Sequence, residues 1–145
     1  MLPFPLAVLW ALGVDGGVAL QGDQYVAGPK LAARLEDAKF LEVELGLLAG
    51  LGPDHFTFRS SLRLRPRLDV EGFRVSPIFG VSLYRYDPRG EFEKFCDKAD
   101  LDCGATTLGL EAGLGVGWRW LAVDFVFATG EVPLYTFTAG VRFPL

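Results

Sequence analysis

The chain contains no asparagine, two glutamines and one methionine, a shortage of thermolabile side chains read here as the mark of a thermophile. It has one histidine, so any Ser/His chemistry would have to run through His55. No run approaches the roughly 18 uninterrupted apolar residues of a membrane-spanning helix. Positive charge is also scarce: the net charge of −4 argues against nucleic acid as a main partner, because phosphate binding needs clustered cations. Cysteine is limited to Cys96 and Cys103, both in one polar stretch. Such a pair in an otherwise thiol-free chain reads as one disulfide made in an oxidising compartment, with an incidental reduced pair as the alternative.

Apolar residues, by contrast, make up 50% of the 145 and the mean hydropathy is +0.29. Membrane-like composition without a membrane-length helix leaves a β-barrel or an unusually apolar soluble core. The length fits one domain over 1–145, and no linker or low-complexity stretch divides it.

A two-residue period supplies the rest. Between Thr107 and Trp120, Leu108, Leu110, Ala112, Leu114, Val116, Trp118 and Trp120 alternate with Gly109, Glu111, Gly113, Gly115, Gly117 and Arg119. A helix would scatter the two sets around its surface, whereas a strand puts one on each face. The same division recurs over 25–35, 41–51, 56–67, 73–84, 121–127 and 133–145. The segment 2–14 looks like the apolar core of a signal peptide but has no basic residues before it. It reads as a first strand, with a leader segment as the alternative, which brings the count to eight. Short connections at 36–39, 69–72 and 120–121 alternate with those at 15–24, 52–55, 87–105 and 129–131, the order of an up-and-down meander. The long polar 87–105 loop then shares a rim with the other longer connections.

One face of these strands is large and apolar, nearly free of charge at mid-strand; the other is rich in Gly, Arg and Glu. Exposed to water, the apolar face would be an aggregation surface, so it is expected to meet lipid while the charged face fills the lumen. With a two-residue turn at Pro53 and Asp54, Glu44 falls opposite Arg63 and Glu42 opposite Arg65. A tight turn near Ala38 would set Arg34 opposite Glu42. The expected interior network is Arg34, Glu42, Glu44, Arg63, Arg65, Glu111, Arg119, Asp124 and Arg142, since buried charges require partners. Cations outnumber anions on this face, so Arg67 and Arg74 should reach solvent, Glu71 or a lipid phosphate at the short-turn rim. Phe4, Phe40, Phe73, Trp118, Trp120 and Phe143 would ring that rim, and Tyr25, Phe56, Phe125, Phe127 and Tyr135 the other, as interfacial girdles do.

In this pattern the chain resembles the small eight-stranded outer-membrane barrels of the OmpA and OmpX kind. The resemblance covers nearly the whole chain and lies in strand alternation, not in a specific motif. Such barrels usually end on an aromatic; here Phe143 is followed by Pro144 and Leu145. The expectation is an all-β, eight-stranded antiparallel up-and-down transmembrane β-barrel in the outer membrane, a monomer whose partner is membrane lipid. Some barrels of this size modify lipid, which calls for a Ser/His pair. Ser61, the serine on the face of His55, is six residues on, roughly 20 Å at strand rise. The outer-membrane deacylases carry His-x-Ser, and the matching position here is Thr57. His55 therefore reads as a polar loop residue and the protein as non-enzymatic, without cofactor or catalytic residues. The acidic residues of 91–102 lack the spacing of a calcium loop, and no metal site is expected. Eight strands leave room for side chains alone, so a structural or surface-interaction component is expected before a porin. A soluble barrel around an apolar ligand, or a lipid-modifying enzyme, are the alternatives.

Overall fold

Alternation commits a segment to a strand because only a two-residue period collects its apolar side chains on one face. The computed structural model describes residues 9–21, 24–36, 41–52, 54–130 and 134–144. The strands are β1 (Leu9–Gln21), β2 (Gln24–Glu36), β3 (Leu41–Leu51), β4 (His55–Pro66), β5 (Leu68–Val70), β6 (Phe73–Pro88), β7 (Ala105–Trp118), β8 (Leu121–Ala128) and β9 (Leu134–Pro144). One helix, α1 (Glu91–Lys98), lies between β6 and β7. Every pairing is antiparallel, β1 with β9 and β4 with β6 included, so the ladder returns on itself. Closure removes the unpaired edges that an open sheet would present to lipid.

The segment β5 is β4 resumed. The β4–β6 ladder ends at Leu64↔Phe79 and the β5–β6 ladder begins at Leu68↔Val75 in the same register. That register sets Pro66 against Pro77. Neither has an N–H to give, so the ladder lapses there and nine segments make eight strands.

Turn chemistry fixes the short-turn end. Val70 pairs with Phe73 around Glu71 and Gly72, whose φ values of 49° and 85° make the mirror-image turn that matches strand twist. Gly72 takes that φ without a Cβ penalty. Trp118 and Leu121 flank Arg119, also at positive φ, and Trp120, so Trp120 belongs to the turn and not to the strand. At the other end of the barrel the Gly52 N–H donates to the His55 carbonyl at 2.9 Å, closing the β3–β4 hairpin.

Three local expectations are corrected. The first strand is Leu9–Gln21 and not 2–14; residues 2–8 lie outside the described residues. Asp15, Gly16 and Gly17 read as turn formers. They nonetheless run mid-strand, with Asp15 opposite Lys30 and Gly140. Two flanking ladders override the local preference. Second, Arg34 stands opposite Glu44, not Glu42. A slide of two residues keeps every side chain on its face, so alternation cannot choose between the registers.

Third, the 87–105 connection is more ordered than a polar loop. β6 extends to Pro88, β7 starts at Ala105, and α1 occupies the middle. Phe92, Phe95 and Cys96 share one helical face by their three- and four-residue spacing. Glu91 and Glu93 lie in the first turn and Lys98 in the last, as the helix dipole favours. Eight residues are too few for an isolated helix, which needs about 12–15. Two ties hold it: a Cys96–Cys103 disulfide, and Arg89, whose N–H donates to the Asp54 carbonyl at 2.7 Å. The disulfide closes a loop of about eight residues, worth roughly 2.5 kcal/mol in the chain-entropy account. Reduction is expected to melt α1 and leave the strands intact. Mild reductant should raise amide exchange across 91–103 without loss of the β circular dichroism signal; loss of that signal would show the bond to be global.

Candidate functional site: the filled interior and its rims

Along each strand, successive residues part sharply: in β7 Leu110 is 65% exposed while Glu111 next to it is 4% exposed. The outward set includes Leu45, Leu62, Leu64, Phe79, Leu83, Leu108, Leu114 and Phe125. The inward set holds the charge. Among the described residues Lys30, Arg59, Arg63 and Arg65 are buried together with Glu42, Glu44, Glu111 and Asp124, four cations against four anions.

Glu44 is the hub. Its Oε1 accepts from Lys30 Nζ at 2.9 Å and Arg63 Nη1 at 3.0 Å, and its Oε2 from Arg65 Nη1 at 2.9 Å. Arg65 also forks onto Asp124, Nη1 to Oδ2 and Nη2 to Oδ1, both at 2.6 Å. Arg63 forks onto Glu111 through Nε and Nη2. Lys30 lies 3.6 Å from Asp124, Arg59 3.6 Å from Glu111, and Arg65 Nε 3.5 Å from Glu42. Bidentate geometry and matched charge are what a desolvated network needs if its attraction is to offset burial. Above it, toward the long-loop end, Leu48, Ala128 and Tyr84 pack across the lumen.

Of the nine residues expected in this network, Glu42, Glu44, Arg63, Arg65, Glu111 and Asp124 are brought together. Arg34 and Arg142 are placed by backbone only, opposite Glu44 and Gly13; their side chains lie outside what the structure describes. Arg119 does not join. It sits exposed in the β7–β8 turn with its guanidinium 4.8 Å from the Trp118 ring centroid, because the strand ends one residue before it. Lys30 and Arg59, outside the expected nine, complete the network from the polar phase of their strands. Their ion pairs include Asp124 and Glu111, on strands that do not adjoin theirs, which hairpin register cannot reveal.

His55 is not a solvated loop residue. It opens β4, is buried, and stacks on Tyr86 with centroids 4.5 Å apart. Among the described residues neither ring nitrogen has a hydrogen-bond partner, and no group of His, Cys, Asp or Glu is placed to hold a metal ion.

At the short-turn rim, Asp69 lies 3.9 Å from both Arg67 Nε and Arg74 Nε. A cavity of about 210 Å³ opens there, lined by Asp69, Gly72, Arg74, Gly117, Arg119 and Leu121. Phe73 and Trp118 stack beside it with centroids 6.4 Å apart, and Trp120 is exposed. At the opposite rim Tyr135 meets Phe127 at 5.0 Å and Phe125 at 6.2 Å. Phe4 and Phe40 fall outside the described residues, as do the side chains of Tyr25 and Phe143.

No known protein family matches this sequence, and no curated protein does. Solved structures do match its fold. Neisserial surface protein A is 13% identical with a TM-score of 0.67, over 94% of this chain and 96% of that one. The N-terminal β-barrel domain of Pseudomonas aeruginosa OprF is 10% identical, TM-score 0.59, over 92% and 97%. A major outer membrane protein from Thermus thermophilus is 13% identical, TM-score 0.56, over 94% and 100%. The architecture is that of the small eight-stranded outer-membrane barrels.

Proposed function

We propose that this chain is an outer-membrane β-barrel acting as a non-enzymatic structural or surface-interaction component, with its lumen plugged by charge and its long-loop end outward. The observation that carries the reading is the inversion of the wall: among the described residues apolar side chains are exposed while eight ionisable ones are buried within. A soluble barrel around an apolar ligand needs the opposite arrangement. Lipid satisfies the exterior, and paired backbone groups around a closed ring satisfy the interior of the bilayer. The disulfide fits an oxidising compartment. Eight strands enclose a space that side chains fill, so bulk solute flow is not the role. The similar Neisseria protein is named for a surface location, which agrees with a surface task for the α1 loop.

The test is solubility joined to conductance. The purified protein should be a monodisperse monomer only in detergent, and in planar bilayers it should lack the steady large conductance of open porins. A monodisperse detergent-free solution would overturn the membrane reading; porin-like conductance would overturn the plug.

A further inference from the structure

We propose that the barrel wall carries a built-in seam near the short-turn rim, where β5 parts from β6 and opens that end of the lumen sideways while β6 stays on β7. Antiparallel strands are joined by rungs of two N–H···O bonds at every second residue pair. The bond from the Arg89 N–H to the Asp54 carbonyl continues the β4–β6 register, so the rungs fall on the even residues of β4, from Phe56↔Asp87 to Leu64↔Phe79. Carried on in the same register, the next rung is Pro66↔Pro77, and the two after it are Leu68↔Val75 and Val70↔Phe73. Both donors of the proline rung are missing, so it forms no backbone bond at all. Beyond it, β5 is held to β6 by two rungs and the turn at Glu71 and Gly72.

The gap is one-sided. Successive residues of β6 bond to opposite neighbours, so Phe73, Val75 and Pro77 turn their backbone groups to β5 and β4, and Arg74, Ser76 and Ile78 turn theirs to β7. The β6–β7 rungs at Gly117, Gly115 and Gly113 contain no proline, so β6 stays on β7 when β5 leaves. The neighbouring hairpin of β7 and β8 has the same two-residue turn length and an unbroken ladder through Trp118↔Leu121, Val116↔Val123 and Leu114↔Phe125. The gap is also deep. Pro66 lies four residues from Val70, about 13 Å along the strand, and both prolines belong to the lipid-facing phase. Carbonyls left bare at such a depth are tolerated only where water or protein reaches them. Water is at hand, because the rim cavity is lined by Asp69, Gly72 and Arg74 of this same hairpin. Behind the seam stand Ser76 and Ile78, buried in the lumen, with Arg65 of the charge network opposite Ile78 in that register. A parted β5 therefore opens the wall directly beside the plug.

Amide exchange, followed by NMR on the full chain folded in detergent micelles, reads the seam residue by residue. The protection of Val75 should be about ten-fold or more below that of Arg74 and Ser76, its neighbours on the same strand. It should fall equally short of Val116, which stands opposite Val75 at the same level and donates within the intact hairpin. Pro66→Val/Pro77→Val supplies the two missing donors on a lipid-facing surface. That variant should raise the protection of Val75 and Leu68 by about ten-fold or more and leave Val116 unchanged. Equal protection of Val75, Arg74 and Ser76 overturns the seam, and this comparison needs no variant. Unchanged protection of Val75 in the folded Pro66→Val/Pro77→Val barrel overturns it as well. Either failure leaves the membrane reading intact, because detergent dependence tests that separately.

Discussion

Replacing Glu44 by glutamine is expected to destabilise the folded barrel by about 3–5 kcal/mol, the usual cost of removing one partner from a buried ionic cluster. The residue accepts from Lys30, Arg63 and Arg65 at 2.9–3.0 Å while fully buried, so the isosteric amide keeps the shape and removes the charge. Four cations, Lys30, Arg59, Arg63 and Arg65, are then left to Glu42, Glu111 and Asp124. The surplus charge lies in a lumen that water cannot rescue. Combining Glu44→Gln with Arg63→Gln removes one charge of each sign, and the pair should cost clearly less than the sum of the single changes. Urea unfolding from lipid vesicles measures each corner of the cycle. Coupling within about 0.5 kcal/mol of zero would mean that the two groups act independently and that the hub is not a hub.

Leu110→Arg should cost about 2–4 kcal/mol, because its side chain points from the middle of β7 into hydrocarbon. Depth is the discriminating variable. Leu68 faces outward too, but in β5 beside the short-turn rim, and Leu68→Arg should cost only about 0–1 kcal/mol because the guanidinium can reach the headgroups. A water-soluble barrel would tolerate both changes equally. Equal, small effects at the two positions would therefore remove the case for lipid around the wall.

These expectations draw on two kinds of information, and the division between them is physical. Side-chain phase in a strand is local: residues two apart share a face whatever else the chain does. Hence the alternation at 107–118 already put Leu110 and Glu111 on opposite faces, and their chemistry turned the leucine outward. Tight hairpins are also local, and a two-residue turn after Gly52 is enough to place Glu44 opposite Arg63 and Glu42 opposite Arg65. Where the connection is not so constrained, phase and register part company, since a slide of two residues preserves every face; Arg34 stands opposite Glu44 for that reason. Propensity failed where neighbours outvoted it. Residues 15–17 read as a turn until ladders on both sides held them in β1, and α1 became visible only with the tethers that hold so short a helix. The contacts across the lumen were beyond any local rule. Arg65 meets Asp124 59 residues on, and Arg63 meets Glu111 48 residues on. The two-residue period sorted the strand residues onto two faces, and their chemistry, apolar against Gly, Arg and Glu, told which face turns inward. Which of those inward residues touch was decided only when the ring closed, because closure sets the width across which an arginine must reach.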